Sequence, residues 1–218
     1  HDALPILKVV STLTFSDKNL HPLELYLHDN RMIVVGSSWA NLPVQIMDEG
    51  VRREFYPAPY SSRSVKVFIY DMSDRSNLKL LREVELEGAY VSSRKVGSAL
   101  YLIANGRLNY RRIKDDKLTP FYRDSKRGDN YIYVGYDSIR YFPSAIHNNY
   151  MFVAGVDVEG DEPANVSTYL GAGENIYAST ENLYVAVSDY SKVHDGSASE
   201  EVTQLYKFAM KDAQLNYL

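Results

Sequence analysis

The acidic run Asp157-Val-Glu159-Gly-Asp161-Glu162 is the stretch of this chain best suited to hold an ion. Asp157, Glu159 and Asp161 place hard oxygen ligands at alternate positions around a glycine, the donor type that calcium takes. The run lacks the spacing and closing Glu of an EF-hand loop, so a solvated acidic hairpin tip competes with a calcium site and is the stronger reading. Asp71 and Asp74 also sit in one short polar stretch, where Asx turns account for both. Glu83, Glu85 and Glu87 alternate along one run and are expected to point to water. The five His are His1, His21, His28, His147 and His194. None forms an i, i+4 pair or a His-x-His pair, so a zinc or copper site has no local nucleus and would have to be assembled from distant segments. His28 and His147 fall in similar turn sequences, which favours a structural role for both.

Nucleophile and cofactor motifs are incomplete. Gly36-Ser37-Ser38 lacks the second Gly of a nucleophile elbow and the helix that must follow it. Gly171-Ala-Gly173-Glu-Asn-Ile176 starts like a dinucleotide fingerprint, but it lacks the third Gly and runs into strand-like sequence. The chain has no Cys, which removes thiolate ligands, Cys nucleophiles and disulfides together. No catalytic residue is assigned, no cofactor beyond that possible calcium is expected, and the chain reads as a non-enzyme.

The elements that must position these residues are strands. Leu23 to Leu27, His28-Asp29-Asn30, then Arg31 to Gly36 reads as strand, tight polar turn, strand. Tyr90–Ala104 with Gly97-Ser98 at its turn repeats the pattern, as do Ser144–Gly155 around His147-Asn148-Asn149 and Asn175–Val187 around Thr180-Glu181-Asn182. Gly, Asn or Asp in such turns takes the positive φ that hairpins require, and the following apolar run suits a strand buried on both faces. Ile6–Phe15, Ser64–Tyr70, Leu78–Leu86, Asn130–Val134, Thr203–Met210 and Gln214–Leu218 supply further strands. Each unit of about four strands over roughly 40 to 60 residues has the period of a propeller blade. The fold class is therefore all-β: a β-propeller of about four blades of four-stranded antiparallel sheet, one domain over residues 1–218. Both ends run in strand-like sequence, which predicts a piece of a longer propeller and an open rather than closed ring. Gln45 to Arg63 and Asn105 to Asn130 read as long polar insertions.

Composition bounds the partners. The chain has 218 residues, with 28 acidic against 24 basic side chains and a net charge of −4. Nucleic acid is excluded as a partner because phosphate binding needs a basic face. No stretch approaches the ~20 apolar residues of a helical membrane span. The 19 Tyr beside 7 Phe and 1 Trp fit half-buried strands, where the ring covers apolar surface and the hydroxyl reaches water.

Ile69-Tyr-Asp-Met-Ser-Asp74 with Leu78–Arg94, and Leu170–Ala186, resemble the secreted bacterial and archaeal β-propeller domain proteins distantly related to WD40 repeats. The resemblance covers most of the chain and carries no catalytic residues to transfer. It implies a secreted or cell-surface protein and a propeller longer than this chain. The expected function is an extracellular binding or scaffold module, with protein or polysaccharide bound at the propeller face. The alternatives are a structural surface protein that forms homo-oligomers through open strand edges, and a hydrolase or lyase acting on polysaccharide.

Overall fold

A computed structural model describes residues 8–41, 61–107, 119–142, 149–171, 175–189 and 202–218. Its strands are β1 (Leu20–His28), β2 (Arg31–Asn41), β3 (Ser61–Asp71), β4 (Lys79–Glu87), β5 (Ala89–Val96), β6 (Ala99–Arg107), β7 (Phe121–Asp124), β8 (Ile132–Tyr133), β9 (Ile139–Tyr141), β10 (Asn149–Asp157), β11 (Asn165–Leu170), β12 (Asn175–Ala178), β13 (Asn182–Asp189), β14 (Val202–Lys211) and β15 (Gln214–Tyr217). They form three open sheets. The first runs β1-β2-β3-β4-β7-β8, the second β5-β6-β10-β11-β9 and the third β12-β13-β14-β15.

The class is all-β and the sheets are open, as the sequence predicts. The recurrent pattern predicts about four units, but among the described residues there are three sheets. The reason lies in β6 and β10, the apolar strands of the second and third repeats. They pair with each other from Ala99↔Asp157 to Arg107↔Asn149, so two repeats share one sheet. The other edge of β10 is taken by β11, from Gly155↔Asn165 to Tyr150↔Leu170. Nor is every pair antiparallel: β9 joins β11 in parallel, with Thr168 opposite Ile139.

The hairpins follow local turn chemistry. Asp29 takes φ 48° between β1 and β2, and Gly97 takes φ 58° between β5 and β6. Left-handed φ matches the twist of the flanking strands at two-residue turns. The opening segment departs from expectation. Residues 8–15 form no strand; Leu13 and Phe15 instead pack on Leu20, Val34, Phe68 and Tyr70.

Strand alternation builds a stack of sheets. Ile33, Val35, Val65, Val67, Ile69, Val84 and Leu86 of the first sheet meet Leu100, Leu102, Ala104, Phe152, Ala154 and Val156 of the second. The residues between those on β6 and β10 (Tyr101, Ile103, Met151, Val153) meet Leu183, Val185, Val187 and Phe208 of the third. The second sheet is thus buried on both faces, which is why β6 and β10 are continuous apolar runs. Gly155 is demanded by this packing: a Cβ there would lie 1.8 Å from the carbonyl oxygen of Ala213, in the β14–β15 turn.

Candidate functional site at the junction of two sheets

The acidic turn after β10 lies against the first sheet, and Arg82 of β4 holds it there. Arg82 shares the inward face of β4 with Val84 and Leu86, where a cation needs full pairing to be tolerated. It is paired twice over. Its Nε and Nη2 donate to Asp124 Oδ1 and Oδ2 at 3.0 and 2.7 Å. Nη1 donates to the Asp157 carbonyl at 3.2 Å and Nη2 to the Glu162 carbonyl at 3.1 Å. Asp124 in turn accepts from the backbone N–H of Ala164 at 2.7 Å and of Lys126 at 3.1 Å. Burial pushes the Asp124 carboxyl upward, but the bonds from Arg82, Ala164 and Lys126 outweigh it and hold the group below its ordinary value.

This clamp fixes the candidate residues of the acidic run, whose side chains take separate partners. Asp157 Oδ1 accepts from the Glu159 backbone N–H at 3.1 Å, within its own turn. Glu159 reaches His28, with Oε1 3.6 Å from Nε2. Asp161 pairs with Lys126, which lowers its carboxyl pKa. Asp157, Glu159 and Asp161 are therefore neighbours in one turn whose carboxylates aim at different groups. A different set converges. Ligand atoms of His28, Asp29 and Glu159 all lie within 4.8 Å of one another, a group able to hold a divalent ion. Glu159 is common to both sets. His147 lies outside the described residues, as do His1 and His194.

Asp71 and Asp74 behave as turn residues. Asp71 Oδ1 accepts from Ser73 N and Oγ, and Asp74 Oδ1 from Ser76 N and Oγ. Those serine bonds lower both carboxyl pKa values.

The alternating Glu residues of β4 overturn the expectation that they face water: Glu85 is 0 % exposed and Glu87 4 %. They share the outward face of the first sheet with Lys66 of β3, Arg123 of β7 and Tyr131. Lys66 Nζ lies 3.4 Å from Glu83 and 3.6 Å from Glu85. Arg123 pairs with Glu83 and, at 3.3 Å, with Glu85, while its guanidinium lies 5.7 Å from the Tyr131 ring. Two cations, one on each flanking strand, make this face of β4 tolerable for carboxylates. Burial, then the Glu85 charge, pushes the Tyr131 phenol up to about 12. Glu85 Oε1 and Arg123 Nε have no hydrogen-bonding partner among the described residues.

Arg82, Asp124 and Arg123 were not legible as site residues. Both partners on β7 fall within a stretch that reads as polar insertion, and Arg82 lies 42 residues from Asp124. Among the described residues no helix is long and apolar enough to cross a membrane.

Residues 3–218 match the family model described as "Beta propeller domain". No curated protein matches the chain. Among solved structures it is similar to Pyrococcus horikoshii acylaminoacyl peptidase (orthorhombic crystal form), at 10% identity over 94% of this chain and 33% of that one, with a TM-score of 0.27. An acylaminoacyl peptidase in complex with Z-Gly-Gly-Phe-chloromethyl ketone is similar at 10% identity over 92% of this chain and 32% of that one, with a TM-score of 0.29. The chain thus spans about a third of those structures, and likeness at that level carries no argument about activity. The family match takes in all three sheets and every residue of the Arg82 clamp, and on it the chain belongs to the beta propeller domain family.

Proposed function

We propose that this chain is a non-catalytic binding or scaffold module, acting outside the cell or at its surface, that docks a protein on the outward face of its third sheet. The reading takes residues 1–218 as one propeller domain. One observation carries it. On that face Tyr177 is 67 % exposed and Leu205 68 % exposed. They sit in adjacent rows of the sheet: Tyr177 opposite Tyr184, and Leu205 opposite Ala186, two residues along β13. Grouped exposed apolar side chains mark contact surfaces, whereas single ones are ordinary. Strand edges left open by the sheets make self-association the natural competitor.

The test is a photo-crosslinking side chain at position 205 in the full-length protein, expressed in its own cells. The expected result is an adduct with one other protein, lost when Tyr177→Glu is added, and formed on protein that external protease can reach. An adduct only with a second copy of the chain replaces this reading with the self-associating surface protein. No adduct at all rejects the third-sheet face.

A second reading rests on Trp39, which is 50 % exposed beside a cleft of about 240 Å³ lined in part by Asn19, His21 and Ser37. An indole face flanked by small polar groups suits a sugar ring. A thermal midpoint raised by one oligosaccharide, and not in Trp39→Ala, selects it.

A further inference from the structure

We propose that His28, Asp29 and Glu159 bind a zinc-type divalent transition metal that staples the first sheet to the second. This goes beyond the binding-module reading and stands independently of it. His28 closes β1 and Asp29 opens the turn to β2, whereas Glu159 lies in the turn that follows β10. A metal held by all three would add a direct link between the two sheets beside the Arg82 clamp and the Tyr26–Ser93 bond.

Distance is the first argument. His28 Nε2 and Glu159 Oε1 are 3.6 Å apart, too far for a hydrogen bond and close to the spacing of two ligands on one small cation. Zinc bonds of about 2.0–2.1 Å to N and O put tetrahedral ligand atoms roughly 3.3 Å apart. The whole set already lies within 4.8 Å, near the spacing that one small cation requires.

Donor chemistry is the second. One imidazole nitrogen with two carboxylates suits zinc and its neighbours, while calcium takes oxygen alone. Three protein ligands leave a fourth position for water, as in open zinc sites. Charge agrees: the two carboxylates together carry −2, which a divalent ion balances.

Preorganisation is the third. The turn bearing Glu159 is held at both ends. Arg82 bonds the Asp157 and Glu162 carbonyls, and Val158 N donates to Ser98 O at 2.9 Å. The Asp157 side chain bonds the Glu159 N–H itself. Little backbone freedom is left to lose on binding, which favours affinity.

The experiment uses tag-free protein stripped with chelator, then given zinc, calcium or magnesium. Bound metal is counted by mass spectrometry, and the thermal midpoint is followed. We expect one zinc per chain and, at 100-fold over the dissociation constant, a midpoint rise of about 5 to 10 °C. Calcium and magnesium leave the midpoint unchanged. His28→Ala and Glu159→Gln, both at partly exposed positions, fold as the parent does and lose the bound zinc and the shift. Cobalt(II) added to the parent gives visible absorption bands that His28→Ala lacks. Absence of stoichiometric zinc, zinc retained by His28→Ala, or an equal response to calcium each overturns the proposal.

Discussion

Arg82 and Asp124 form a two-pronged ion pair, Nε to Oδ1 at 3.0 Å and Nη2 to Oδ2 at 2.7 Å, with side chains only 2 % and 0 % exposed. The pair lies where the first sheet meets the acidic turn of the second, and two further guanidinium N–H groups go to that turn's carbonyls. A buried pair of this kind adds little net stability over an apolar substitute, but half of it is costly.

Arg82→Met should therefore lower unfolding stability by about 3 to 5 kcal/mol, because it leaves Asp124 charged and buried. Asp124→Leu combined with Arg82→Met should recover part of that loss. Urea denaturation of both variants, with similar slopes, measures the difference. A fully additive double variant would deny the coupling.

Acid should release the same clamp. The Asp124 carboxyl titrates below its ordinary value in the folded chain, so its contribution is complete above about pH 4. It is lost as pH falls through the lowered folded value, since the unfolded state binds the proton first. Asp124→Asn should flatten the acid limb of stability against pH, read as thermal midpoints between pH 5 and 2.

At the alkaline end the sign reverses. Tyr131 ionises only near pH 12 in the folded state, against about 10 when unfolded. Between these values the folded chain holds the extra proton, so stability falls as pH rises. Ultraviolet titration should show one phenol ionising last, absent in Tyr131→Phe, and that variant should lose less stability above pH 10.

Gly155→Ala tests the contact between the second and third sheets. The added methyl has no room beside the Ala213 carbonyl oxygen, so β10 or the β14–β15 turn must shift. Overpacking of this kind costs about 1 to 3 kcal/mol, and more where backbone blocks the way. Amide exchange should quicken across residues 208–217 before it does in the first sheet. Unchanged exchange there would deny the contact.

The hairpins were legible because their signals are local. His28-Asp29-Asn30 and Gly97-Ser98 carry turn chemistry within a few residues, and unbroken apolar runs mark β6 and β10 as buried on both faces. The count of sheets was not legible, because nothing in β6 or β10 says that each is the other's neighbour. Phe121–Asp124 is not legible as a strand because four mixed residues after a proline show no period. Alternation puts Glu83, Glu85 and Glu87 on one face, but alternation alone does not say whether that face meets water. Only the arrival of Lys66 and Arg123 from neighbouring strands makes it habitable for charge.

By itself, then, the sequence determined the all-β class, the turns and the inward–outward alternation, since these depend on neighbours within a few residues. Tertiary structure decided which carboxylate meets which cation. It turned Asp157, Glu159 and Asp161 toward three separate partners and brought Glu159 to His28, 131 positions away along the numbering. A charge is tolerated or not according to what lies within a few ångströms in space, and strand pairing, not chain order, sets that distance.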